Sequence, residues 1–186
     1  KCPNAGSCFS ENTATFLIMG PRCSRDCGFC AVESGPSEGV DPEEAEKVAL
    51  GAKEMGLEYV VVTSVTRDDL PDGGAKHFAD TIGKIKEIIP GVLVEVLIPD
   101  FQGREQDLDT VLKASPDVLN HNLETVKRLY PRFRPQADYQ RSLHVLRYTA
   151  ERYQNIPAKS GIILGMGESD QEIEQTLQDL LESGCR

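Results

Sequence analysis

Three cysteines stand close together at Cys23, Cys27 and Cys30, separated by three residues and then by two. Thiolates at that spacing on one loop can take three corners of a cubane iron-sulfur cluster and leave the fourth iron without a protein ligand. A structural zinc site is the competing reading, but it closes its shell with four ligands, commonly in two short-spaced pairs. Here Cys2 and Cys8 are separated by five residues, and His77, His121 and His144 fall far apart in the chain. The spacing favours the cluster over zinc. Five of the six cysteines lie within the first thirty residues and Cys185 stands alone, whereas a disulfide framework spreads through a small, loop-rich chain. Clustering at one end points to a metal site in a reducing compartment. Arg22 and Arg25 beside the loop can offset thiolate charge, although plain solvation is the commoner role of such arginines.

A loop of this kind needs a rigid frame, and the rest of the chain reads as strand and helix in alternation. Residues 13–20 form the first strand and run into the Cys23 loop. Asp41-Pro42-Glu43-Glu44 gives a helix start, with Asp41 as cap, and Val48, Ala49, Ala52 and Met55 form its apolar stripe before Gly56 closes it. Residues 59–65 are a continuous apolar strand, and the following helix turns Phe78, Ile82, Ile85 and Ile89 inward. Further strands fall at 93–98, 117–120 and 158–165, and Ser169 with Glu172 reads as a capping box for a last helix with Ile173, Leu177, Leu180 and Leu181 as its stripe. Five βα units without a linker imply one α/β layer structure, a barrel or an open doubly wound sheet. Polar and glycine-rich residues gather at strand C-termini, where both architectures keep their chemistry.

With 20 Lys+Arg against 30 Asp+Glu the 186-residue chain carries a net charge of -10, which argues against a nucleic-acid partner. No apolar run approaches the length of a membrane span. The chain opens at Lys1 and stops at Arg186 just after a helix-closing Gly184, so it reads as a piece of a longer protein and its targeting cannot be read.

The loop Cys23-x3-Cys27-x2-Cys30, with Phe29 before the last cysteine, resembles the signature of the radical S-adenosylmethionine (SAM) superfamily. In that superfamily the open iron chelates the amino and carboxylate groups of SAM, and electron transfer yields a 5′-deoxyadenosyl radical. Gly161-x-Ile163-x-Gly165-x-x-Glu168 is similar to a superfamily pattern whose apolar residue packs near the adenine. Within the superfamily, Cys2-Pro3-Asn4, Thr63-Ser64-Val65 leading into Arg67-Asp68-Asp69-Leu70-Pro71-Asp72-Gly73-Gly74, Asn120-His121-Asn122-Leu123-Glu124-Thr125 and Lys159-Ser160-Gly161 resemble lipoyl synthase. Those stretches span nearly the whole chain in the expected order.

The resemblance implies a partial (β/α) TIM-type barrel of the radical SAM type over 13–186, truncated after the fifth βα unit, with residues 1–12 as part of an auxiliary-cluster segment. It implies a sulfurtransferase that inserts two sulfur atoms at C6 and C8 of a protein-bound octanoyl group, using SAM and two 4Fe-4S clusters, one of them sacrificed as sulfur donor. Cys23, Cys27 and Cys30 would hold the SAM cluster. Cys2-x5-Cys8 matches two of the three auxiliary cysteines, the first of which would precede Lys1, and the family's Arg-Ser-Ser-Tyr serine stretch does not occur here. Thr63, Ser64, Asn120, Asn122, Glu124, Arg134 and Ile163 are the candidates for contact with SAM. The implied partners are an octanoylated lipoyl carrier domain, either a 2-oxoacid dehydrogenase E2 subunit or the glycine cleavage H protein, and an electron donor such as ferredoxin or flavodoxin. The implied setting is the cytoplasm, or the mitochondrion or plastid in a eukaryote.

Asp68, Asp69 and Asp72 could line a substrate mouth, although acidic loops are commonly solvated turns. Lys127, Arg128, Arg132, Arg134, Arg141, Arg147 and Arg152 reverse the charge locally against Asp138 and Glu151, and can steer an acidic carrier or remain a solvated face. Two alternatives stay open at this level: another radical SAM enzyme with one cluster, and a zinc-stabilised α/β binding module.

Overall fold

Apolar and β-branched residues gather in short runs, and in the computed structural model, which describes residues 4–185, those runs become strands. In chain order the elements are α1 (Ala5–Ser10), β1 (Thr13–Ile18), β2 (Arg22–Cys23), β3 (Glu33–Ser34), α2 (Glu44–Glu54), β4 (Tyr59–Ser64), α3 (Ala75–Ile88), β5 (Leu93–Leu97), α4 (Glu105–Lys113), β6 (Val118–Asn120), α5 (Tyr130–Phe133), α6 (Tyr139–Arg152), β7 (Ala158–Lys159) and α7 (Asp170–Glu182). Strands β1, β4, β5, β6 and β7 make one parallel sheet in that order. The helices form a row, α2 against α3, α3 against α4, α4 against α6 and α6 against α7. A doubly wound sheet would reverse its strand order and divide its helices between two faces. This is instead a partial (β/α) barrel, and the open-sheet alternative is overturned.

Alternation along each strand assigns the faces. Val60, Val62, Val94, Val96 and Leu119 are fully buried and pack with Ala49, Ala52, Phe78, Ile82, Ile85, Leu108 and Val111 of the helices. Burying an aliphatic side chain of that size contributes roughly 1.5–3 kcal/mol. The intervening residues face inward, where Leu17, Thr63, Leu97, Asn120 and Lys159 share one row across the sheet. One row below, buried Glu95 accepts hydrogen bonds from the Tyr59 hydroxyl (2.6 Å), the Asn120 amide (3.2 Å) and the Lys159 ammonium (2.9 Å).

Several local expectations shift. β1 ends at Ile18, because Met19 and Gly20 both take positive φ, 67° and 90°. α2 begins at Glu44 rather than at Asp41, whose carboxylate accepts from the Glu43 N–H (2.9 Å) and pairs with Lys47. Gly56, at φ 65°, does close α2, with the Leu57 N–H reaching the Ala52 carbonyl at 3.1 Å. Met55 is exposed and drops out of the stripe. The capping box of Ser169 and Glu172 is present, but Leu177 and Leu181 are exposed and Thr176 joins Leu180 on the buried side. The fifth strand is only two residues long. Beyond it the Ile163 N–H bonds to the Glu124 carbonyl (2.7 Å), so that run pairs with a loop. Helices α1 and α5 are not anticipated from periodicity. Both are too short to show it.

Candidate functional site

Cys23 closes β2, which pairs with β3, so the segment carrying Cys27 and Cys30 is a closed loop. Three ties fix it to the barrel. The Ser24 N–H and hydroxyl both donate to the Thr66 carbonyl just past β4, each at 2.9 Å. The Gly28 N–H donates to the Phe133 carbonyl at the end of α5 (2.9 Å), and a Cβ on Gly28 would meet the Phe133 ring at 3.3 Å. Arg25 donates to Asp68 from Nε (2.6 Å) and Nη2 (2.9 Å), and to Asp100 from Nη2 (2.7 Å).

Those carboxylates come from the loops after β4 and β5. Arg141 of α6 brings its Nε to 2.9 Å from Asp100 Oδ2 without a hydrogen-bonding angle, so that contact is an ion pair alone. Arg141, Asp100, Arg25 and Asp68 thus alternate in sign along one chain, with Asp100 0% and Arg25 5% exposed at their side chains. Charges so dry persist only when paired. Burial would raise the Asp100 carboxyl, but hydrogen bonding and charge from Arg25 outweigh it and hold it at about 2. Arg25 is therefore neither solvated nor idle. The remaining acids of the Arg67–Gly74 stretch are also engaged. Arg67 is buried, pairs with Asp69 (2.7 Å) and donates to the carbonyls of Met19 and Glu38, while Asp72 accepts from the Gly74 and Lys76 N–H groups. These contacts make the stretch a clamp between loops, with Asp69 still open to solvent.

A cleft of about 210 Å³ opens at the C-terminal ends of β1, β4, β5 and β6. Cys23, Cys27, Cys30, Thr63, Ser64, Asn122, Glu124 and Arg134 all line it. Burial raises the Cys27 thiol; Arg134 opposes this, and Cys23 and Cys30 push it up again as like charges, so the three thiols are electrostatic neighbours. Arg134 is 8% exposed and donates from Nη1 to the carbonyls of Asn122 and Leu123 (3.0 Å each) and to the Tyr130 hydroxyl (2.9 Å). It staples the loop after β6. Glu124 sits there at φ 64°, and burial raises its carboxyl against the Asn122 hydrogen bond and the Arg134 charge. Thr63 donates its hydroxyl to the Leu97 carbonyl (3.2 Å).

Two candidates fall outside the cleft wall. Asn120 turns down to Glu95, and Ile163 is 41% exposed on the run after β7. Glu168 gathers that run by accepting from the Gly165 and Met166 N–H groups. Cys8 is half-buried on α1, which packs on β1, and it does not line the cleft; Cys2 lies outside the described residues. The sequence reading passes over His121, although Asn120 and Asn122 flank it. Its Nδ1 donates to the Ile98 carbonyl (2.9 Å), and burial lowers it to about 4, so the ring is neutral at pH 7 and lines the cleft.

The donor set can be tested against an iron-sulfur cluster. Among the described residues no three Cys, His, Asp or Glu side chains converge on a point fit for a single ion. Thiols that share a cleft without converging suit the spaced corners of a cubane better than the tight shell of one zinc. Backbone N–H groups of Thr66 (3.3 Å) and Arg25 (3.4 Å) point at Cys23 Sγ, and that of Val32 (3.4 Å) at Cys30 Sγ. Such donors favour thiolate sulfur. Ser64 Oγ, His121 Nε2 and Arg134 Nε are buried in the wall with no hydrogen-bond partner among the described residues. Atoms of that kind call for a polar ligand to pair with them. The residues present fit a three-thiolate cluster with a polar molecule beside it.

Comparison with known proteins agrees with that chemistry. Residues 17–180 match the family model described as the radical SAM superfamily. The lipoyl synthase of Caldanaerobacter subterraneus is 55% identical over 185 residues, covering 100% of this chain and 65% of the relative. The lipoyl synthases of Alkaliphilus metalliredigens and Aquifex aeolicus are 50% and 52% identical, covering 64% and 67% of their own lengths. The chain therefore spans about two thirds of the curated relatives it matches. Among solved structures, methylornithine synthase superposes with a TM-score of 0.68 at 16% identity, over 92% of this chain and 50% of the other. Streptococcus suis SuiB bound to S-adenosylmethionine gives 0.70 at 13%, over 92% and 38%. These two share the fold. With the cysteine loop seated on that fold and half of all positions identical along its length, the chain belongs to the radical SAM superfamily and, within it, to the lipoyl synthase family.

Proposed function

We propose that the chain forms the SAM-cleaving part of a lipoyl synthase, which inserts two sulfur atoms at C6 and C8 of an octanoyl group carried on a lysine of a lipoyl carrier domain. The observation that carries this reading is the cleft in which three thiols of one loop share a wall with the polar strand ends of β4 and β6. Cys23, Cys27 and Cys30 would hold a 4Fe-4S cluster. When bound, that cluster supplies the electron that breaks a carbon-sulfur bond of SAM and yields the 5′-deoxyadenosyl radical.

The chain's own residues hold and orient. Arg134 lines the cleft, has a buried Nε without a partner among the described residues, and suits the SAM carboxylate, while Thr63 and Ser64 suit the amine. Asn122 and Glu124 are placed for ribose hydroxyls, and the apolar walls of Leu17, Val65 and Leu97 keep water from the reacting carbon. Asn120 and Ile163 do not line this wall. The role of Asn120 is to brace Glu95 under β6, and that of Ile163 is to supply apolar surface for the adenine from the run after β7. Cys8, with Cys2, would serve the auxiliary sulfur-donating cluster. The complete reaction belongs to lipoate biosynthesis, with the lipoyl carrier (a 2-oxoacid dehydrogenase E2 subunit or glycine cleavage H protein) and a ferredoxin- or flavodoxin-type donor as partners, in the cytoplasm or in an organelle of the same descent. No helix among the described residues is long and apolar enough to cross a membrane.

The test is anaerobic reconstitution followed by iron and sulfide analysis and a SAM-cleavage assay. Cys23→Ala, Cys27→Ala and Cys30→Ala should each abolish 5′-deoxyadenosine formation, because the loss of one of three thiolates exposes a second iron. Zinc at one per chain without sulfide, or parental 5′-deoxyadenosine from any of the three variants, overturns the reading.

A further inference from the structure

Two of the groups that hold the cysteine loop are themselves held by Arg141. This residue opens α6, where its N–H donates to the Asp138 carboxylate that caps the helix (2.8 Å). Its guanidinium lies 2.9 Å from Asp100 Oδ2 at Nε and donates from Nη2 to the Gln136 carbonyl (3.2 Å). Its stem rests on the turn after β5, since a Cβ on Gly103 would meet Arg141 Cγ and Cδ at 3.3 Å each. Phe101, Gln102 and Gly103 all take positive φ in that turn, 44°, 56° and 76°, a backbone that side chains other than glycine's disfavour. Asp100 and Gln136 then reach the loop at different residues. Asp100 Oδ1 accepts from Arg25 Nη2 (2.7 Å), and Gln136 Oε1 accepts from the Asp26 N–H (3.4 Å). Arg25 and Asp26 are consecutive and lie between Cys23 and Cys27, so one helix residue grips that segment by two routes. The charges on the first route also have a sum. Arg141 and Arg25 balance Asp100 and Asp68, and without Arg141 the set would carry one net negative charge. Arg25 stands closest to the thiols: it lines the same cleft, and its N–H points at Cys23 Sγ (3.4 Å).

We propose that Arg141 is a positioning residue for the cysteine loop, which fixes the Arg25–Asp26 segment from α6, keeps the charge set beside the thiols neutral, and thereby raises the reduction potential of the centre they hold. The proposal rests on the cluster reading above. Arg141 does not line the cleft and acts only through Asp100 and Gln136. Reduction adds one negative charge to the centre, so each uncompensated negative charge nearby opposes it, and local net charge is one of the factors that set cluster potentials. With Asp100 0% and Arg25 5% exposed at their side chains, solvent ions screen this charge far less than they would at the surface.

The experiment uses Arg141→Met, Asp100→Asn and the double variant, with Arg147→Met as a control that removes a charge from an exposed position of the same helix. Hydrogen exchange at the Ser24, Arg25 and Asp26 amides is measured in protein free of iron, and the midpoint potential of the reconstituted centre by optical titration with redox mediators. Arg141→Met should speed that exchange about fivefold. It should also shift the reduction equilibrium about fivefold toward the oxidised centre, a potential lower by about 40 mV for one electron. Asp100→Asn leaves the set with one net positive charge and should raise the potential by a similar factor, and the double variant should return it toward the parent. A loosened loop alone would move both single variants the same way. Arg141→Lys, which keeps the charge and loses the fork, should restore the potential, and it decides the sign should Asp100→Asn fail to fold. Parental exchange or a parental potential in Arg141→Met, shifts of one sign in both single variants, no recovery in Arg141→Lys, or an equal shift in Arg147→Met would each overturn the proposal. A parent that takes up no iron and sulfide overturns the cluster reading instead, and with it the potential, whereas the exchange measurement needs no metal and judges the hold on the loop by itself.

Discussion

Replacing Asp100 by Asn keeps the side chain's size and one acceptor oxygen and removes only the charge. In the parent, Asp100 Oδ1 accepts from Arg25 Nη2 at 2.7 Å and from the Gln102 N–H at 3.0 Å, with Arg141 Nε at 2.9 Å from Oδ2. The carboxyl is held at about 2 instead of 3.8, which is worth roughly 2 kcal/mol of stability at neutral pH. Stranding a buried charge outright costs about 3–5 kcal/mol. Arg25 keeps Asp68 in the variant, so the smaller figure should govern. For a chain of this size it corresponds to a melting temperature lower by about 4–8 °C. Thermal melts of parent and Asp100→Asn protein across a pH series provide the assay. Because the folded carboxyl is depressed, its stabilisation is fully present above the unfolded value near 3.8 and disappears as pH falls toward 2. The gap between the two proteins should therefore be constant from neutral pH to about 5 and narrow below about 4. A gap under about 1 °C at neutral pH, or one that widens with acid, would refute the claim that Asp100 is held by charge.

His121 should make the protein acid-sensitive in a different window. Its ring is lowered to about 4 when folded and titrates near 6.5 when unfolded, so stability present above about 6.5 is lost as pH falls toward 4, and roughly 2 kcal/mol of it should go between pH 7 and pH 5. Urea unfolding of His121→Gln should show a shallower loss over that interval; equal slopes would assign the titration to another group. Gly74→Ala should cost about 1–3 kcal/mol in the same assay, since Gly74 sits at φ 87° and a Cβ would lie 2.3 Å from the sulfur of buried Met19. Gly83→Ala, in the middle of α3 with nothing within 4 Å of the new Cβ, should gain about 0.5–1 kcal/mol, and a loss there would mean that α3 is not the helix described.

The cysteine loop was legible because its residues are neighbours in sequence. Cys23, Cys27 and Cys30 announce themselves by spacing, and the alternation of valine-rich runs with capped helices gives a parallel α/β layer structure, with the barrel following only from the family resemblance. What supports the loop is not local. Arg25 meets Asp68 and Asp100 at separations of 43 and 75 residues, so nothing in the surrounding sequence tells it from a solvated arginine. The acids of the Arg67–Gly74 stretch read as a turn for the same reason. Asn120 and His121 illustrate a second limit: adjacent residues at a strand end point opposite ways, one to Glu95 below and one to the cleft wall, and a motif does not say which. The apolar run after Ala158 reads as a long strand because period and composition carry no information about the neighbour it pairs with, here the Glu124 loop.

The ties on the cysteine loop also impose an order on maturation. Ser24 is held by Thr66, Arg25 by Asp100 and Asp26 by Gln136, at sequence separations of 42, 75 and 110 residues. An unfolded chain has none of these contacts. Its three thiols, free to move within eight residues, are a floppy chelator that accepts zinc or copper at least as readily as iron. Only after β6 and α5 are seated do those contacts fix Cys23, Cys27 and Cys30 along one wall of the cleft. On the function proposed above, selectivity for a cluster over a single ion would therefore be acquired by folding.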